Sequence, residues 1–266
     1  MLSISQTNHA QIASYCTEYL KALTHPLDGM WEDAILAQAK HWVIHANDVV
    51  IGYCSVDNEG ALLAFQAFEH ERNGEAFRFC LRTLDLNRAY VSTAEPSFLG
   101  LCLDHHKSLK INALMYSDSD TDQPLPSFAD NLEYRLVNMD DYAAAIEFGL
   151  RAIGDERDWL EPYYAERITK KELFGLWTKD QMIGAGELRI SPSQFNIADV
   201  GMVVAPECRK RGLATLILQR LRYDGRNRGL RLICSTEGDN LAAQKAIMRA
   251  GFYASHRILD IALNRL

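Results

Sequence analysis

One stretch in the last quarter of the chain, VVAPECRKRGLAT (Val203–Thr215), leaves little freedom in how it can fold. An apolar β-branched run ends at Pro206, and Arg209, Lys210 and Arg211 crowd against Gly212. Small and apolar residues then resume at helical spacing. A strand that runs through a basic turn straight into a helix suits an anion. A helix N-terminus exposes backbone N–H groups and about half a unit of positive charge. Glycine at position 212 lets the main chain approach a ligand with no Cβ between them. Ala214 is small enough to permit the same approach, and Thr215 adds a hydroxyl. The stretch therefore predicts a phosphate site. The chain has no G-x-x-x-x-G-K-[ST] loop, and the turn holds one glycine where a dinucleotide fingerprint needs three.

The basic turn stands out because the whole chain of 266 residues is acidic, with a formal net charge of −7. That balance argues against general binding to nucleic acid or anionic membranes, and DNA recognition through Arg209–Gly212 fails on it. Arg220, Arg222, Arg226, Arg228 and Arg231 read as a solvated helix face. Six scattered cysteines without a C-x-x-C pair read as reduced thiols. The first residues lack a basic start and an apolar core, and no apolar run reaches the ~20 residues of a membrane span. A cytoplasmic protein is expected.

The acidic, proline-containing segment Tyr116–Asn131 reads as a linker between two halves of similar element order. In the second half EYRLV is a strand, and a helix capped by Asn138 runs toward Gly154. ELFGLWT and QMIGAGELRI form a hairpin around Lys179-Asp180, and FNIADVGMVV is the strand before the basic turn. A helix follows over Gly212–Arg228, then the strand LRLICST, a helix capped by Asp239 and stopped by Gly251, and closing strands in FYASHRILDIAL. The first half repeats hairpin, strand and helix in HWVIHANDVVIGYCSV, GALLAFQAF and GEAFRFCLRTL. Ile51-Gly52 there matches Ile183-Gly184. Its counterpart of the basic turn is interleaved with Glu69, Glu71 and Glu75, which would repel phosphate. The first copy is thus expected to have no anion site and no pocket.

Arg209-x-x-Gly212-x-Ala214 after VVAP resembles the R/Q-x-x-G-x-G/A motif of the GNAT acetyltransferase superfamily. Asn240, Ala243, Gly251 and Phe252 in DNLAAQKAIMRAGF resemble its N-x-x-A…G-F segment. The resemblance runs from Glu133 to about Ala262, and more weakly through the first half. It implies an α/β chain of two tandem GNAT-like domains, each a mixed, mostly antiparallel sheet flanked by helices. A degenerate copy would occupy 1–120, a linker 121–130 and the acyltransferase domain 131–266. It also implies acetyl-CoA, or another acyl-CoA, as co-substrate in a gap between the VGMVV and LICST strands. Amides of Lys210, Arg211, Gly212, Leu213, Ala214 and Thr215 would hold the pyrophosphate, with Arg209 steadying the loop. Val203, Val204 and Asn240 would meet the pantetheine arm. The implied acceptor is the amine of a small molecule or peptide, and the implied assembly a monomer or homodimer.

An amine must lose a proton before it attacks a thioester, so a carboxylate base is expected. Glu187, Asp199 and Glu237 are candidates, and each alone reads as readily as a surface carboxylate. Glu187 ranks first because it lies beside paired glycines on a strand expected to face the cleft. The family's proton-donating tyrosine is replaced by Ile247, with Ser235, Cys234 and Tyr253 as substitutes. A non-catalytic acyl-CoA-binding module is the competing reading. His41/His45 and His105-His106 lack a third ligand, and no metal is expected.

Overall fold

The structure is a computed structural model that describes residues 1–266 apart from 37, 120, 122–123, 155 and 180, and apart from the side chains of 32–34. Asp120, Asp122 and Gln123 of the expected linker, and Asp180 of the expected hairpin turn, lie outside the described residues.

The first half runs β1 (Leu2–Thr7), α1 (His9–Ala22), β2 (Lys40–Ala46), β3 (Val49–Val56), β4 (Leu62–Ala67), α2 (Asn73–Thr83), β5 (Arg88–Ser92), α3 (Pro96–Asp104) and β6 (His106–Asp118). The second runs β7 (Glu133–Leu136), α4 (Tyr142–Ala152), α5 (Arg157–Thr169), β8 (Leu173–Thr178), β9 (Gln181–Ile190), β10 (Ile197–Val204), α6 (Leu213–Asn227), β11 (Arg231–Glu237), α7 (Leu241–Arg249) and β12 (Phe252–Leu263). Two compact units result, one of Met1–Met115 with Ser255–Leu266 and one of Tyr116–Ala254. The division by sequence kept 131–266 together; here residues 255–266 fold with the first unit.

In the first unit the strands lie in the order β1-β2-β3-β4-β5-β12-β6. β12 is one strand and pairs antiparallel with β5, from Ile258↔Ser92 to Ala262↔Arg88. Phe65, Phe77 and Phe98 build a core with α2 and α3, while Ile12, Tyr53 and Leu63 belong to a second core that includes α1. His41 is buried with its ring Nδ1 2.8 Å from Ser55 Oγ, and the β2 register shifts between Ile44 and His45. No cluster of three or more His, Cys, Asp or Glu placed for a metal occurs among the described residues. Nor, among them, is any helix long and apolar enough to cross a membrane.

In the second unit the order is β11-β10-β9-β8-β7, antiparallel except where β10 meets β11. Leu213, Ile217, Leu218 and Leu221 form the buried stripe of α6, each such side chain stabilising by about 1.5–3 kcal/mol when fully covered. Gly184 and Gly186 let α6 come close: a Cβ on Gly184 would lie 2.9 Å from Ile217 Cδ1, and one on Gly186 2.7 Å from Ile217 Cγ2. These glycines therefore face the helix, on the opposite face of β9 from Glu187. They give no reason to place a substrate beside Glu187, as the sequence argument had it. Asn138 caps the 3₁₀ turn that opens α4, as its position predicts. The cap of α7 is Asn240, whose side chain accepts from Ala243 N at 3.1 Å, in place of the expected Asp239.

Candidate functional site

The basic turn takes up the geometry its composition suggests. β10 ends at Val204, and Ala205 leads into a 3₁₀ turn, Pro206–Cys208. Arg209 is extended, Lys210 is left-handed with φ 63°, and Gly212 is left-handed with φ 80° as the N-cap of α6. With no side chain at the cap, the first-turn N–H groups of α6 meet no capping acceptor. Left-handed residues bracketing such a turn aim successive amides into one concavity, which suits an anion. Lys210 and Arg211 are exposed beside it. Arg209 does different work. Its Nε donates to Val204 O at 3.1 Å and its terminal nitrogen to Ala152 O at 3.0 Å. The guanidinium thus ties the end of β10 to the C-terminus of α4, where a cation also offsets the helix dipole.

Beside the turn, β10 and β11 part. Their parallel ladder holds only Ile197↔Arg231, Ala198↔Leu232 and Asp199↔Ile233, yet β10 stays paired to β9 as far as Val204↔Gly184. The β11-facing edge of Val200–Val204 is thereby open to an extended ligand. Val203 and Val204 lie where this opening meets the turn.

Glu187 and Asp199 come together through Arg189, which the sequence reading overlooked. Asp199 stands directly across the ladder from Arg189, and Gly201 across from Glu187, so these residues share one face. Arg189 donates to Asp199 Oδ2 at 2.7 Å and lies 3.4 Å from Glu187 Oε2. Burial opposes the guanidinium charge, but Asp199 and Glu187 outweigh it and hold Arg189 protonated well beyond the ordinary range. Glu187 is 9% exposed and Asp199 3%. α5 supplies Tyr163, whose hydroxyl donates to Glu187 Oε2 at 2.5 Å and accepts from Arg189 at 3.0 Å. Burial first, then the Glu187 charge, raises the Tyr163 phenol, so it remains a proton donor. Trp159 is half-exposed and stacks on Tyr163 with centroids 4.7 Å apart. Gly201 leaves the position opposite Glu187 without a side chain.

Other candidates fall elsewhere. Glu237 is exposed at the end of β11. Ile247, 3% exposed, is a packing residue of α7. Cys234 is buried, Ser235 partly so, and Tyr253 is exposed.

Residues 8–119 match the acetyltransferase (GNAT) domain family and residues 139–252 the acetyltransferase (GNAT) family. Among solved structures, the chain is similar to an acetyltransferase from the GNAT family of Colwellia psychrerythraea. The two are 32% identical with a TM-score of 0.90, over 98% of this chain and 100% of that one. A GCN5-related N-acetyltransferase from Sphaerobacter thermophilus shares the fold at 16% identity and a TM-score of 0.70, covering 100% and 96% of the two chains. A tandem GNAT protein from the clavulanic acid biosynthesis pathway does so at 16% and 0.67, covering 99% and 98%. No curated protein matches by sequence. Two GNAT domains in tandem define the fold, and the chain belongs to the GNAT acetyltransferase family.

Proposed function

We propose that the second unit transfers an acetyl group from acetyl-CoA to a primary amine of a small molecule or peptide by direct attack. The observation that carries this reading is the uncapped start of α6, set behind left-handed Lys210 and Gly212 and beside the opening between β10 and β11. The turn offers amides from Lys210 to Thr215 to a pyrophosphate, with Lys210 and Arg211 adding charge. The free edge of β10 at Val203 and Val204 offers main-chain groups to a pantetheine amide, and the Asn240 side-chain NH2 remains available after its oxygen caps α7. Acetyl-CoA supplies an activated acyl thioester.

Glu187 takes a proton from the acceptor's ammonium, which frees the amine to attack the thioester. Tyr163 and Arg189 fix its carboxylate by two polar contacts, and Asp199 acts through Arg189, holding that guanidinium in place. A thiol is acidic enough, with a pKa of about 8.5 in free cysteine, for the departing thiolate to leave with water as the acid. That suits Ile247 at the position where the family carries a tyrosine. The same residue favours one other reading, an acyl-CoA-binding regulatory module without turnover.

Calorimetric titration with acetyl-CoA tests the assignment. Gly212→Glu places bulk and negative charge at the turn, and affinity is expected to fall on the order of 100-fold. Gly212→Asn tolerates the left-handed backbone and should keep most of it. Unchanged affinity in a folded Gly212→Glu protein refutes the site. Tight binding without thiol release on any of a panel of amines selects the regulatory reading.

A further inference from the structure

The first unit holds a cavity of about 120 Å³ between α1, the end of β4 and the start of α3. It lies where β4 leaves β5, since Leu62↔Ala89 is their one paired position. This is the topological counterpart of the opening beside β10, but its chemistry is reversed. The segment leading into α2 carries Glu69 and Glu71, and Arg72 is paired to Glu69 at 3.0 Å. Inside the cavity wall sits Glu95, 4% exposed. It accepts from the Tyr19 hydroxyl and, at 2.6 Å, from Ser92 N. Both donors are neutral, and among the described residues no cation is paired with this carboxyl. Gln66 lines the same cavity, and its Oε1 is buried without a hydrogen-bond partner. Phe65, Phe98 and Leu101 supply apolar wall.

Glu95 thus lacks a counter-charge, and the chamber, lined also by His70, Asn73 and Ser97, has room for roughly four to six heavy atoms. A buried carboxylate without a cation is costly, as is an unpaired amide oxygen, and one ligand can relieve both. We propose that this cavity binds a small primary alkylammonium ion, whose N–H groups donate to Glu95 and Gln66 while its carbon chain lies against Phe65, Phe98 and Leu101. The site belongs wholly to the first unit and is separate from the acceptor amine of the second. Burial, opposed by the Ser92 N–H, pushes the Glu95 carboxyl up to about 8, and a bound ammonium supplies the charge that restores its ionised form.

Calorimetry on the whole chain, with n-propylammonium chloride, sodium propionate and 1-butanol as probes, tests this. Work in a Glu187→Gln background, without acetyl-CoA, removes the carboxylate that would draw the same ammonium to the second unit. Saturable binding of n-propylammonium alone is expected, weakened at least about tenfold by Glu95→Gln, since a charged hydrogen bond is lost. Gln66→Leu replaces an amide whose oxygen is unpaired by an apolar side chain of similar size, so it should fold well and still weaken binding roughly threefold or more. If Glu95→Gln fails to fold, Gln66→Leu decides alone. Equal affinity in the variants, comparable binding of propionate, or no response to n-propylammonium up to tens of millimolar overturns the site.

Discussion

At one topological point the two units part ways. In the second, β10 passes through Arg209–Gly212 into α6, and the turn has left-handed residues, exposed cations and no cap. In the first, β4 passes through Glu69–Arg72 into α2, whose N-cap position, Arg72, is right-handed and whose first turn carries Glu75. Both helices begin with the same dipole. The dipole is therefore not what distinguishes the two turns; backbone handedness and side-chain charge are. The first unit was expected to lack a pocket, yet the space beside β4 persists as a cavity lined by a buried carboxyl. The two turns differ in charge, and a gap lies beside the acidic one as it does beside the basic one.

The largest expected effect tests whether chemistry is confined to the second unit. Glu187→Gln should keep acetyl-CoA affinity and lower kcat by roughly 10²–10⁴-fold near neutral pH. Glu71→Gln, an exposed change at the first unit's turn, should leave both unchanged. A kcat within twofold of wild type for Glu187→Gln would remove the base from β9, and any effect of Glu71→Gln on acetyl-CoA binding would break the contrast between the turns.

That contrast was readable in the sequence, because charge and glycine are local properties. So were the β8–β9 hairpin, β10 and β11, whose near-continuous apolar runs are buried over most of their length, and α6, whose apolar stripe is its buried face. What escaped was structure with weak periodicity. β6 begins HKSLKIN, all exposed, so no alternation marks it. α5 contains Pro162, which argues against a helix interior, although Leu160, Tyr164 and Ile168 recur every four residues and are buried. Missing α5 meant missing Tyr163. Arg189 was within reach, two residues beyond Glu187 and hence on its face of the strand. The fate of residues 255–266 was not legible, since FYASHRILDIAL pairs through backbone groups that any strand of that length offers.

A second prediction separates the units by pH. Glu95 titrates at about 8 in the folded chain against an ordinary 4.5, because burial disfavours its charge. The folded state keeps a proton that the unfolded chain has released. Its contribution is complete below pH 4.5 and disappears as pH rises through about 8, a change on the order of 5 kcal/mol. His41 and His256, both lowered by burial, act in the opposite sense in the wild type and the variant alike. Denaturant melts from pH 5 to 8 should show wild type losing stability relative to Glu95→Gln. Parallel curves would mean that Glu95 is ionised throughout, with a counter-charge in the protein itself.

Glycines that the repeat places in register offer a third. A Cβ on Gly52 would strike the backbone of β4 at Gln66 O, and one on Gly184 would press on Ile217 Cδ1, the end of a side chain. Backbone in a paired strand cannot yield as a methyl group can. Gly52→Ala should cost about 3 kcal/mol and Gly184→Ala about 1 kcal/mol, measured by chemical denaturation. The reverse order would show that α6 is the more rigid neighbour.

The smallest effect concerns two asparagine caps. Asn8 accepts from Gln11 N at 3.1 Å to open α1, and Asn240 accepts from Ala243 N at 3.1 Å to open α7. Replacing either with alanine removes a cap worth about 1 kcal/mol, so melts cannot tell the two apart. Aspartate can. It preserves the accepting oxygen and suits the helix dipole, so Asn8→Asp and Asn240→Asp should both fold with undiminished stability. What each loses is the amide NH2. At Asn8 nothing in the proposed chemistry uses that donor, and acetyl-CoA affinity should not move. At Asn240 the donor is assigned to the pantetheine arm, and losing one neutral hydrogen bond, at about 0.5–1.5 kcal/mol, should raise Kd roughly two- to tenfold with stability intact. A Kd unchanged in Asn240→Asp would make this residue a cap alone, like Asn8 in the first unit, and would place the pantetheine contacts wholly on the edge of β10.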